Sequence, residues 1–275
     1  WGAAEHRWGR LLAVAAGDFE GHFRRAQALQ SLGFYEEVVA DLEAALALKP
    51  QNAELIRLKA ENLEKRREPG EAIEWWQKVL SFNSRDLDGW LRLARLHVLV
   101  GDYSAAETDI EQIVTLLTGP GAPQGSDREK VSDQLRRLGR DLYANAAWVA
   151  AELIWRHLVA ESPDNGDWQF RLGLVLSGLG HSADAVRAFD KAQSLLPERA
   201  DIARWADRLR REAELETQII GRGGDDDRHG SDDDVMHMAP AMTSIIQSDA
   251  SSENSTTGDG ATSDNTALAS PEGEA

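Results

Sequence analysis

Residues 171–197 read RLGLVLSGLGHSADAVRAFDKAQSLLP. Two apolar stretches flank Gly180, and Pro197 closes the segment. Within each stretch the apolar side chains recur at three- and four-residue steps, the period of one helix face. The glycine stands where a first helix must stop and the chain turn back. The proline ends the second helix, because it has no N–H to continue the hydrogen-bond ladder. No reactive group stands out, so the segment reads as a helix pair built for packing.

The same pattern recurs along the chain. Stepping back from Ala185, small or compact residues sit at Ala151, Ala106, Ala72, Val38 and Ala4, at intervals of 34, 45, 34, 34 and 34 residues. Four positions after each comes a large apolar residue: Trp8, Leu42, Trp76, Ile110, Trp155 and Phe189. Twelve positions before each of the last five stands a second small residue: Ala26, Ala60, Ala94, Gly139 and Gly173. Pro50, Pro163 and Pro197 close three units, with Ser84 and Thr118 in the corresponding place of two others. Gly33, Gly101 and Gly180 mark the turns within units. Small residues on facing surfaces let two antiparallel helices approach closely. The large residue four positions on is expected to fill the groove against the next unit. One such pair cannot bury its own apolar face, so neighbouring units must stack.

A 34-residue period of this kind resembles the tetratricopeptide repeat (TPR) family. In the fifth unit the family pattern is met by Leu172, Gly173, Leu176, Ala185, Phe189 and Pro197. In the third it is met by Trp90, Leu93, Ala94, Ala106 and Ile110, with His97 at the tyrosine position. The second unit departs most: Lys59 replaces leucine and Arg67 replaces the turn glycine. The resemblance covers residues 1–199 and implies an all-α fold, a right-handed α-solenoid of stacked antiparallel helix pairs.

The expected organisation follows. Residues 1–18 align with only the second helix of an incomplete repeat; the favoured expectation is that the partner helix lies upstream in a longer chain, the alternative that this half unit caps the array by itself. Residues 19–118 form three units and 132–199 two more. The excess of 11 residues in the 45-residue interval falls in GPGAPQGSDRE, and its glycines and prolines predict a loop insertion over 119–131. That loop reads as a tolerated insertion, with a hinge or a binding loop as the sharper alternative. Residues 200–220, with Ile202, Trp205, Leu209 and Ala213 on one stripe, suit a C-terminal capping helix. From Gly221 the composition turns to Asp, Ser, Thr, Asn and Gly without an aromatic residue. Too little apolar surface remains there to offset chain entropy, so 221–275 is expected to be a disordered acidic tail.

Charge and composition exclude several functions. The chain carries a net charge of −17, of which the 12 acids and 2 arginines from Gly221 onward contribute −10. Such a surface repels phosphate backbones, so a nucleic-acid partner is not expected. The absence of cysteine excludes disulfides and thiolate metal sites. No apolar run approaches the roughly 18 residues of a membrane span, and no signal-peptide series opens the sequence, which makes the cytoplasm the expected compartment. No phosphate-binding loop, zinc-binding H-E-x-x-H or nucleophile elbow occurs. His229 and His237 lie among aspartates without ligand spacing; no metal or cofactor is expected. Trp8, Trp76 and Trp155 occupy groove-filling positions and Trp90 the family tryptophan position, so all four read as core, while Trp75 and Trp148 fall off register and are expected to be partly exposed.

In TPR arrays the first helix of each unit lines a concave groove, and the resemblance assigns Phe23, Gln27, Arg57, Leu91, Arg95, Arg136, Arg140, Tyr143, Phe170 and Leu174 to it. Arginines interleaved with apolar side chains point to a protein or peptide partner with acidic and apolar residues. The acidic tail has the chemistry to compete weakly for that groove. Some family members clamp a chaperone's terminal carboxylate with lysine, asparagine and basic residues. Here the matching positions hold Phe23, Gln27, Leu58, Asp88 and Arg92, and only Arg92 fits. The expected function is therefore a non-enzymatic interaction scaffold. The alternative is the repeat segment of a larger enzyme, since bacterial arrays of this kind are often joined to glycosyltransferase or sulfotransferase domains.

Overall fold

The computed structural model describes residues 18–223, with side chains through Glu212 and that of Glu214. The expectations for the N-terminal half unit and for the acidic tail, including its contact with the groove, lie outside the described residues. Eleven helices and no strand occur among the described residues. They pair as α1 (Phe19–Leu32) with α2 (Val38–Leu48), α3 (Ala53–Lys65) with α4 (Pro69–Phe82), and α5 (Leu87–Val100) with α6 (Tyr103–Thr118). Next come α7 (Gly125–Ala144) with α8 (Trp148–Glu161) and α9 (Gly166–Gly178) with α10 (Ser182–Leu195), and α11 (Ala200–Gly223) packs on α10. The result is an α-solenoid of stacked antiparallel pairs.

Each boundary has a local cause. Asp18, Asn52, Asp86 and Asn165 precede first helices, and each accepts hydrogen bonds from first-turn amides such as Leu55 N (2.9 Å) and Trp168 N (3.1 Å). Such caps satisfy donors that the helix itself leaves free. The turns inside units use a left-handed residue: Gly33 (φ +85°), Gly101 (φ +80°) and Gly180 (φ +77°). Units two and four put Arg67 (φ +61°) and Ala146 (φ +56°) into the same conformation.

The repeat register fixes the core. Ala26, Ala60 and Ala94 on first helices and Val38, Ala72, Ala106, Ala151 and Ala185 on second helices are fully buried, as are Leu42, Trp76, Ile110 and Phe189. Trp155 is nearly so, and Trp75 and Trp148 are half-buried. Each large side chain contributes about 1.5–3 kcal/mol by leaving water. The large residue does not only face the next unit. A β-carbon at Gly173 would lie 2.6 Å from Phe189 Cε1, so glycine is required there for the ring to settle inside its own pair. Phe189 also meets Phe170 (5.6 Å between ring centres) and Trp205 of α11 (6.2 Å), which joins α11 to the array.

The inserted segment is a loop only in part. The chain is irregular over 119–124, but α7 begins at Gly125 and runs for 20 residues. The expected loop over 119–131 is corrected accordingly, and the reason lies in the capping register. Where other units carry Asp or Asn, unit four has Val131, which cannot cap. Nothing stops the helix there, and it continues backward by almost two turns. The segment is tied down: Arg85 Nη2 donates to the Pro120 carbonyl, Arg128 Nη1 donates to the Leu117 carbonyl (2.7 Å), and Arg128 pairs with Glu161. Packing changes at this junction as well. Elsewhere a second helix packs on the following first helix, whereas α6 packs chiefly on α8.

Candidate partner-binding surface

The expected groove residues divide sharply by exposure. Phe23, Leu91, Phe170 and Leu174 are each at least nine-tenths buried. Phe23 stacks on Phe19 (5.7 Å) and Phe170 tilts against Phe189, with the Arg199 guanidinium 4.7 Å from the Phe170 ring centre. These four side chains hold helices together and do not form the open apolar pockets the sequence suggested. Their position on a first helix points between pairs, where one helix period cannot separate groove from core. Gln27 is half-buried and accepts from Arg24 (3.2 Å). Tyr143 is half-buried, edge-on to Trp148 at 5.2 Å.

The charged members differ from one another too. Arg57 reaches forward from α3 to Asp88 (3.1 Å) and Asp86 of the next unit. Gln30 of α1 donates to Glu61 of α3 (3.3 Å), and Arg92 of α5 reaches back to Glu64 (3.4 Å). Arg57 and Arg92 both lie 5.1 Å from the ring centre of Trp76, whose Nε1 donates to Glu64 Oε1 (2.5 Å). Burial raises the Glu61 carboxyl above its usual pKa, against the lowering effect of Arg92 and Arg57. Between units two and three, then, cations and anions from successive first helices neutralise each other, and between units one and two a neutral amide meets the Glu61 carboxylate. Arg57 is not a free cation, and Arg136 is occupied by Asp133 on its own helix.

This mutual pairing is interrupted between units three and four. Arg137 stands where Arg92 stands in unit three, but the residue equivalent to Glu64 is Val98. Arg95, Arg137 and Arg140 are all exposed and have no hydrogen-bond or ion-pair partner among the described residues. Arg95 lies on α5 and the other two on α7, and these two helices touch. One turn beyond Arg95, Leu99 is 70% exposed, the most of any large hydrophobic residue described. Sequence reasoning missed Arg137 and Leu99. The signal was available in the register, by asking of each first-helix charge whether the neighbouring unit supplies its opposite.

A cleft of about 630 Å³ opens beside the start of α7, lined by Gln124, Arg128, Ser132, Arg136, Glu161 and Trp168 among others. Its cations are already engaged by Glu161 and Asp133, and Ser132 donates to Glu161 (3.0 Å). No group of three or more His, Cys, Asp or Glu able to hold a metal occurs among the described residues. His97 is buried with its Nδ1 2.6 Å from Asp109 Oδ2, and His157 is buried 3.0 Å from Glu161, with burial lowering its pKa. Both act inside the array. No helix among the described residues is long and apolar enough to cross a membrane.

Comparison with known proteins places this architecture. A tetratricopeptide-repeat model matches residues 19–52, which are unit one. No curated protein sequence matches the chain. Among solved structures, YrrB, described as a TPR protein with an unusual peptide-binding site, is 17% identical, with 73% of this chain and 97% of that one covered at a TM-score of 0.51. The C-terminal part of a TPR repeat-containing protein from Cytophaga hutchinsonii is 15% identical over 80% of this chain and 83% of that one, TM-score 0.52. MamA is 16% identical over 66% and 94%, TM-score 0.48. At such identities the likeness concerns the fold. A tetratricopeptide repeat is thus matched in unit one, the same register continues through Pro197, and the helix pairs stack as they do in solved arrays of that repeat.

Proposed function

We propose that the chain is a non-enzymatic scaffold that holds a protein or peptide partner against the face formed by its first helices. One observation carries this reading. Side chains from successive units meet on that face, as the pairs Gln30–Glu61, Arg57–Asp88 and Arg92–Glu64 do. A partner lying across it would therefore touch several units at once, which is how a repeat array gains specificity from shallow contacts. A peptide-binding site is described for YrrB, which shares the fold. The net charge of −17 argues against nucleic acid as the partner.

The test is site-specific photocrosslinking of the full chain in its own cells. A crosslinking residue at Ser31 or Ala144, exposed on first helices, is expected to yield a discrete protein adduct. The same residue at Glu111 or Arg156, exposed on second helices, is expected to yield none. Adducts confined to the second-helix positions, or none at any position, would refute the proposal.

A further inference from the structure

We infer that docking is concentrated where α5 meets α7, and that the segment received there offers carboxylates beside an apolar side chain. This rests on the reading of the first-helix face as the binding face and adds its location and chemistry.

The argument starts from what the other units withhold. An arginine already paired across units, such as Arg57 or Arg92, gains little from a second acid, because its charge is neutralised and its donors are directed. At the third and fourth units the register supplies Val98 in place of an acid, and the cross-unit pairing is interrupted there. Arg95, Arg137 and Arg140 are left exposed without partners. Acids on the same helix do not remove the excess. Asp133 is taken by Arg136, and Asp141 is a single carboxylate among the three arginines. In a chain of net charge −17, three unmatched cations on two touching helices form a local exception. An acidic segment is repelled by most of the molecule and attracted here, which sets both place and orientation.

The apolar half of the motif comes from Leu99. It lies four residues after Arg95, hence on the same face of α5, and is 70% exposed. The Tyr143 ring follows Arg140 by one turn on α7. A segment with two acids and a neighbouring Leu, Ile or Phe can therefore satisfy the arginines while covering Leu99. Guanidinium groups favour this, since their planar forks bind carboxylates bidentately and their faces tolerate apolar neighbours.

The experiment is selection of a phage-displayed library of random 12-residue peptides on the full chain, with synthetic copies of the winners titrated onto variants. The enriched peptides should carry paired Asp or Glu next to an apolar residue. Their affinity should fall about tenfold or more for Arg95→Glu/Arg140→Glu, and clearly for Leu99→Ser. Arg204→Glu, which reverses an exposed arginine on α11, is the control and should change it little. All these side chains are exposed, so an unchanged helical signal by circular dichroism establishes that each variant is folded. Affinity should weaken with salt without vanishing, since apolar contacts are not screened. Enriched peptides that are basic or neutral would refute the inferred chemistry. Acidic peptides insensitive to Arg95 and Arg140 would refute the location, while the first-helix reading would still stand if they crosslink from Ala144. No enrichment at all would overturn both.

Discussion

Asp109 is a carboxylate placed where few charges are stable. It is buried on α6, hydrogen-bonded to His97 Nδ1 at 2.6 Å, and its pKa is raised to about 6. Burial is the main cause; the hydrogen bond and charge of His97 oppose it, and Asp102 adds a little in the same direction as burial. Asp41 occupies the same register position two units earlier and has both His22 (2.8 Å) and Arg25 (2.6 Å) as partners. Asp109 has no arginine. For an acid whose folded pKa lies above its unfolded value, the folded state binds the proton more tightly. The favourable contribution is complete below about pH 4 and is lost as pH rises through about 6. Asp109→Asn keeps an acceptor for His97 and removes the titration. Relative to wild type, the variant should therefore gain about 2 kcal/mol between pH 4.5 and 7.5. Urea denaturation of both proteins at the two pH values measures this. A difference that stays constant would mean that Asp109 is ionised throughout.

At the scale of elements, the turn inside each pair shows how much the sequence discloses. Gly33, Gly101 and Gly180 were readable as turns because only glycine takes a left-handed backbone without cost. Arg67 and Ala146 are strained in the same place, because stacking of the flanking helices dictates the turn whatever residue fills it. A β-carbon there costs roughly 1–2 kcal/mol, and glycine returns part of that as unfolded-chain entropy. Arg67→Gly and Ala146→Gly should each stabilise the protein by about 0.5–1 kcal/mol, read as a higher urea midpoint with unchanged slope. Gly33→Ala should do the reverse by a similar amount. Helix pairs, crossings and turns were legible because each depends on one residue type at one step of the period. The start of α7 was equally written in the sequence, in Val131 at a capping position, but the glycines and prolines of 119–125 are the louder local signal. The candidate surface was half legible. Arg95 and Arg140 could be placed on the first helices from register, whereas their lack of partners depends on the neighbouring unit. Phe23, Leu91, Phe170 and Leu174 were placed on the correct helices, but their burial depends on the packing between units.

For the whole molecule, the decisive property is that each pair touches only its neighbours, so stability is a chain of local terms. The last term is α11, which lays Ile202, Ala206 and Leu209 on α10 and stacks Trp205 on Phe189. Leu209→Ala removes a buried side chain and should cost about 2–3 kcal/mol. In a compact single-core protein that loss would be shared by every amide that exchanges through global unfolding. In this array it should fall on α9, α10 and α11, whose amides are expected to exchange about 30- to 160-fold faster. The effect should fade toward the junction where α6 packs on α8 and should leave α3 and α4 unchanged. Hydrogen exchange read peptide by peptide distinguishes the two cases. Uniform acceleration from α1 to α11 would mean that the array unfolds as one unit, and that coupling between units exceeds the stability of any single pair. Graded acceleration would place the Arg95–Arg140 surface beside the boundary between two separately opening halves, so an occupant bridging α5 and α7 should also suppress that opening.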